Sequence, residues 1–77
     1  MKTYYYATYQ EHEDRPISVS LIQANSKKQI SQRGLNLFEH CKRFEDDNKA
    51  FNFLMTNATS LGYTVSYNDI KEYDVVS

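Results

Sequence analysis

Apolar positions follow a helical period in one half of the chain and a strand period in the other. After Glu45-Asp46-Asp47, the residues Phe51, Leu54, Met55, Ala58 and Leu61 recur at spacings of three and four. That spacing puts them on one face of a helix. Asp46 or Asp47 can accept a hydrogen bond from a free backbone N–H of its first turn, and the acidic cluster suits the positive end of the helix dipole. Gly62 stands where a left-handed residue stops a helix. Beyond it YTVSY alternates, with Tyr63, Val65 and Tyr67 on one side and Thr64 and Ser66 on the other, so a strand is predicted. Asn68-Asp69 then reads as a turn. Phe53 lies about 160° around the helix from Phe51, outside the core stripe. Its position suits an exposed aromatic or an anchor for a partner.

The first half alternates. Residues 3–10, TYYYATYQ, are rich in aromatic and β-branched side chains without glycine or proline, and predict a strand. Tyr4, Tyr6 and Thr8 share one face of it, and Tyr5, Ala7 and Tyr9 the other. EHEDRP is a polar loop ending in the only proline. Ile17, Val19 and Leu21 alternate with Ser18, Ser20 and Ile22 as a second strand, near enough in sequence to pair with the first as an antiparallel hairpin. Ser26-Lys27-Lys28-Gln29 matches a capping box. Ile30, Gly34, Leu37, Phe38, Cys41 and Phe44 then fall within an arc of about 120°, which predicts one helix from residue 26 to about residue 44. Gly34 inside it costs roughly 1 kcal/mol against alanine; the competing reading ends a short helix there and begins a second near Leu35. The tail IKEYDVVS alternates poorly and offers at most a short fourth strand.

These elements assemble as β-β-α-α-β, with a further β if the tail pairs. The expected architecture is a two-layer α+β fold: an antiparallel sheet of three or four strands with both helices on one face. The 77 residues are expected to form a single small globular domain. Its expected core is Ile17, Val19, Leu21, Ile30, Leu37, Phe38, Cys41, Phe44, Phe51, Leu54, Met55, Ala58, Leu61 and Val65.

Composition narrows the function. Leu, Ile, Val and Phe total 17 of 77 residues, close to the level at which a chain stays disordered. The net charge of −1 and seven tyrosines favour folding, and so small a core makes self-association a live alternative. Cys41 is the only cysteine, so no disulfide within the chain is expected. Neither a secretion signal nor a bilayer-spanning stretch is expected, because Met1-Lys2 leads directly into a polar, tyrosine-rich run. With the single thiol, this fits a cytoplasmic location. Asn57-Ala58-Thr59 matches a glycosylation sequon, discounted on a predicted helix without a secretion signal.

Catalytic chemistry has little to build on. There is no G-x-S-x-G, no H-E-x-x-H and no glycine-rich phosphate loop. His40 and Cys41, adjacent on a predicted helix, would diverge by about 100°, which argues against a metal site. Glu11, His12, Glu13 and Asp14 crowd one loop and read as solvated charge. No enzyme, cofactor or metal is therefore expected. Lys27, Lys28, Arg33, Lys42 and Arg43 against Glu39 give residues 26–43 a net charge of +4, while residues 44–77 sum to −4. Much of this matches the ends of the predicted helices.

The tyrosines carry the functional reading. With both helices on one face, rings on the other would lie open. Such a face suits either rings lying flat on a thin domain with their hydroxyls in water or a protein interface, with Tyr4, Tyr6, Tyr67 and Phe53 as contacts. The leading expectation is a small non-enzymatic module that binds a protein, in the manner of phage or mobile-element inhibitors that occupy a host protein. One alternative is a single-stranded nucleic-acid binder that stacks bases on the same rings and uses Lys27, Lys28, Lys42 and Arg43; the scarcity of cations on the predicted strands weighs against it. The other is a homo-oligomer, such as a dimer, that closes its tyrosine face on itself.

Overall fold

The computed structural model describes residues 2–76 of the chain. The hairpin forms as its alternation demands. Strand β1 (Tyr4–Gln10) and strand β2 (Ser18–Ala24) pair antiparallel from Tyr4 opposite Ala24 to Gln10 opposite Ser18. The His12 Nε2 and Ser18 Oγ atoms, 2.8 Å apart, hydrogen-bond across the loop between them.

Helix α1 spans only Lys27–Gln32. The Ser26 hydroxyl accepts from the Gln29 N–H at 3.2 Å, and the Gln29 side chain accepts from the Asn25 N–H at 2.7 Å. The expected reciprocal cap is thus displaced by one residue at its return bond. The single helix expected over 26–44 does not form. Gly34 adopts φ 77° and stops it. Its N–H donates to the Ser31 carbonyl and the Leu35 N–H to the Ile30 carbonyl, at 3.0 and 3.2 Å. That pair of bonds is the Schellman stop, and Leu35 packs with the cluster that holds Ile30, as the motif favours. No second helix begins near Leu35 either. Residues 35–39 form a loop, and strand β3 (His40–Phe44) then pairs antiparallel with the far side of β1.

Helix α2 (Asp47–Ser60) ends by the same device at Gly62, φ 93°, with Gly62 and Tyr63 donating to the Thr59 and Ala58 carbonyls. Asp46 occupies the N-cap position, although no side-chain hydrogen bond caps the helix there. The buried stripe is Ala50, Leu54 and Ala58, so Phe51 and Phe53 flank it, one on each side. Leu61, expected in the core, is 43% exposed. The YTVSY strand is absent. Val65 packs against the α2-side core from an extended segment, and the Tyr63 hydroxyl donates to Glu11 at 3.1 Å. A short 3-10 turn, Tyr67–Asp69, leads into strand β4 (Lys71–Asp74).

Strand β4 pairs parallel to β2, so the four-stranded sheet, in the order β3-β1-β2-β4, is mixed and not antiparallel. The α+β class and two helices hold, with the order β-β-α-β-α-β. The helices do not share a face. Ala7, Val19 and Leu21 pack with Ala50, Leu54 and Ile70 on one side of the sheet. Tyr6, Ile22 and Ala24 pack with Ile30 and Val75 on the other. The topology accounts for this. Strands β2, β3 and β4 run in one direction, and the connection β2–α1–β3 crosses the sheet one way while β3–α2–β4 crosses it the other. Two crossovers of the same hand that travel in opposite directions lie on opposite faces.

Candidate functional site

Because both sheet faces are covered, alternation along β1 sends its tyrosines into two different cores. Tyr6 is 3% exposed and belongs to the α1-side cluster. It is unavailable as a surface contact, which corrects the expectation of an open aromatic sheet face. Tyr4, on the same side, is half-buried, with the Arg43 guanidinium 4.4 Å and the Lys2 ammonium 5.7 Å from its ring centre. Lys2 pairs with Glu45. That hydrogen bond and charge hold the Glu45 carboxyl below the usual carboxylate range and raise the Lys2 ammonium.

Phe53 is not an outward anchor either. It lies 5.3 Å from Phe44 and 6.2 Å from Tyr9, ring centre to ring centre, and fills the space between α2 and β3. His40 stacks on Tyr9 at 4.7 Å and 17°, and the Lys42 ammonium lies 5.6 and 5.7 Å from the Phe44 and Phe53 ring centres.

Tyr67 alone of the four expected contacts stands out from the surface, at 59% exposure. Its ring meets Phe51 edge-on at 5.1 Å. The turn beneath it is fixed by the Asp69 carboxylate, which accepts from the Ser66 N–H at 2.9 Å and from its hydroxyl at 3.1 Å. Phe51, Met55 and Thr59 succeed one another at intervals of four along α2, so the apolar flank continues from Tyr67 along the helix. Met55, Thr56, Thr59 and Ser60 line an open groove of about 440 Å³ there. An exposed aromatic ring against a helix whose flank also carries a shallow apolar groove is an arrangement from which binding anchors are made.

The four cations proposed for nucleic acid are not gathered on one surface. Lys42 and Arg43 are neighbours in a strand, and the pleat points them to opposite faces. Lys42 lies over the α2-side aromatics, Arg43 over Tyr4 on the α1 side. Lys28 is exposed on α1. Lys27 and Arg43 both line a pocket that also includes Cys41. Burial pushes the half-buried Cys41 thiol up, with the Lys27 charge opposing it. Among the described residues no three metal-ligating side chains cluster, and no helix is long and apolar enough to cross a membrane.

One important group escaped sequence reasoning. Thr8 is wholly buried on the α1 face, where its hydroxyl accepts from the Phe38 N–H at 2.7 Å and pins the loop after α1 to the sheet. A threonine in an aromatic strand gave no signal of that role. Comparison with known proteins brought no match: no family model, no curated protein and no solved structure resembles the chain significantly.

Proposed function

We propose that this chain is a small non-enzymatic binding protein that acts by occupying a partner protein, with Tyr67 as the anchor and the Phe51–Met55–Thr59 flank of α2 as the surrounding surface. The observation that carries the reading is the contrast between Tyr67, 59% exposed over a fixed turn, and Tyr6, 3% exposed in the core. An ordered, exposed aromatic beside an apolar groove loses little conformational entropy on binding and brings a large contact area. In this reading the chain works stoichiometrically, as inhibitors of host proteins do, and turns over no substrate. The single-stranded nucleic-acid reading has less to rest on, since the aromatic face is packed and its cations divide between two faces.

The test is paired affinity capture from cells of the organism that encodes the chain, with wild type and Tyr67→Ala side by side. Under this proposal a protein retained by wild type is lost from Tyr67→Ala, while the variant keeps its fold to within about 0.5 kcal/mol. Identical captured sets from the two would reject Tyr67 as the anchor. Self-association is favoured by a separate observation, the two outer strands β3 and β4 at the sheet edges. Light scattering at several concentrations separates it: a dimer that survives Tyr67→Ala points to an edge, a dimer lost with it to the α2 flank.

A further inference from the structure

The short helix leaves part of the α1 face uncovered. Beyond its first residues lies a pocket of about 450 Å³, lined by Tyr6, Asn25, Ser26, Lys27, Cys41 and Arg43. Three elements contribute to it: β1, the turn into α1, and the edge strand β3. No carboxylate is among the lining residues. Neither Lys27 nor Arg43 forms a salt bridge among the described residues; Arg43 lies over the Tyr4 ring and senses the Glu45 carboxylate only through space, while Glu45 itself pairs with Lys2. Two cations lining one concavity, with no acid among its lining residues, create a positive potential that an anion relieves.

The polar groups of the wall are unevenly satisfied. The Asn25 amide oxygen is buried without a hydrogen-bond partner among the described residues, and unpaired buried polar atoms are rare in native proteins. The Ser26 oxygen accepts from the Gln29 N–H, which leaves its own O–H free to donate. Arg43 brings a planar fork of donors, and Lys27 a mobile point charge.

We propose that this pocket binds the phosphate group of a small phosphate monoester, between Lys27 and Arg43. Phosphate fits better than carboxylate on charge and donors: the guanidinium fork, the ammonium and the Ser26 hydroxyl bring two positive charges, which the single charge of a carboxylate does not balance. The three terminal oxygens of a phosphate monoester, with nearly two charges at neutral pH, match them. The volume is also of the size that holds whole small molecules, so the phosphate is carried on a larger body that packs toward Tyr6 and Cys41.

The experiment is a titration of the full chain at low ionic strength, followed by backbone amide NMR, with inorganic phosphate in one arm and phenyl phosphate in the other. Saturable shifts confined to residues 25–27 and 41–43 are expected in both arms, with phenyl phosphate the tighter ligand. Lys27→Glu reverses an exposed charge in the first turn of α1, where an acid is compatible with the helix, and abolishes the shifts. Arg43→Gln weakens binding about tenfold. Tyr67→Ala leaves the titration unchanged, which separates this site from the proposed protein-binding flank. Shifts that fail to saturate, that spread over the whole surface, or that persist in Lys27→Glu would overturn the proposal.

Discussion

The two faces of the hairpin are built differently. Under α2, Ala7 and Ala50 bring a fourteen-residue helix close to the sheet, and Val19, Leu21, Leu54 and Ile70 fill the remainder without a buried polar side chain. On the opposite face a six-residue helix covers only part of the strands, and a loop completes the layer. Buried Thr8 and Ser20 sit there among Tyr6, Ile22 and Ala24, with the Thr8 hydroxyl holding the loop in place. One face is a continuous apolar layer. The other is a partial layer with polar ties and an opening at its edge. The lesson is that one strand pair can serve two cores of unequal rigidity, with stability concentrated on one side and concave, chemically varied surface on the other.

The largest expected effect on this contrast comes from paired truncations. Leu54→Ala removes a fully buried side chain from the middle of α2 and is expected to cost about 4 kcal/mol, because a long helix clamped along the sheet collapses poorly into the void. Ile30→Ala, equally buried, is expected to cost nearer ~2 kcal/mol, because a six-residue helix can shift to close the gap. Urea unfolding midpoints measure both. A reversed order would break the comparison.

Next comes the polar tie. Thr8→Val keeps the shape but deprives the Phe38 N–H of its acceptor, and should cost about 1–3 kcal/mol, whereas Thr8→Ser should retain most of the stability. Hydrogen exchange localises the loss, with the Phe38 amide exchanging faster in the valine variant. Below this fall the two glycines. At Gly34 and Gly62 an added Cβ meets nothing within 4 Å, so alanine is strained by its backbone alone, by about 1–2 kcal/mol at either site. A much larger cost at one of them would show that its turn is shaped by packing.

The smallest effect belongs to the surface pair Lys2–Glu45. The folded carboxyl titrates below its unfolded value. Its contribution is therefore present above the unfolded carboxylate pKa and is lost as pH falls through the folded one. Both partners are well exposed, so the contribution is slight. Glu45→Gln should lower stability slightly at neutral pH, where both partners are charged, and flatten by small amounts both the acid limb and the alkaline limb, since the raised Lys2 ammonium loses its partner as well.

Much of the architecture was legible in the sequence. Alternation around the EHEDRP loop predicted the hairpin, and the run ending at Gly62 predicted α2 and its stop. The failures share a physical origin. Gly34 has the same left-handed role as Gly62, but Leu37, Phe38, Cys41 and Phe44 continue a helical spacing beyond it by coincidence. Half-buried loop and strand positions satisfy that spacing equally well. YTVSY alternates because one side of an extended segment packs on the core, which does not require a strand partner. The tail was hard to read because all four β4 residues are exposed. Ile70 and Val75 hold that strand by its ends, one in each core. The second core had a signal that the one-faced expectation overlooked: adjacent Leu21-Ile22 and tyrosines on both sides of β1 mark strands buried on both faces. Of the expected site residues, Tyr67 is exposed for a reason the sequence did not show: it was expected on a strand in line with Val65, and it stands instead on the 3-10 turn before β4. The fates of Tyr6 and Phe53 depended on which faces were covered, and no local pattern encodes that.

Tyrosine nitration mapped by mass spectrometry on the folded chain tests most directly whether the sheet is covered on both sides and Tyr67 left free. Tyr67, followed by Tyr73 at 39% exposure, is expected to react first, with Tyr6 protected until the chain unfolds. Early modification of Tyr6 at a rate matching Tyr67 would contradict the account, since it would mean an open aromatic sheet face.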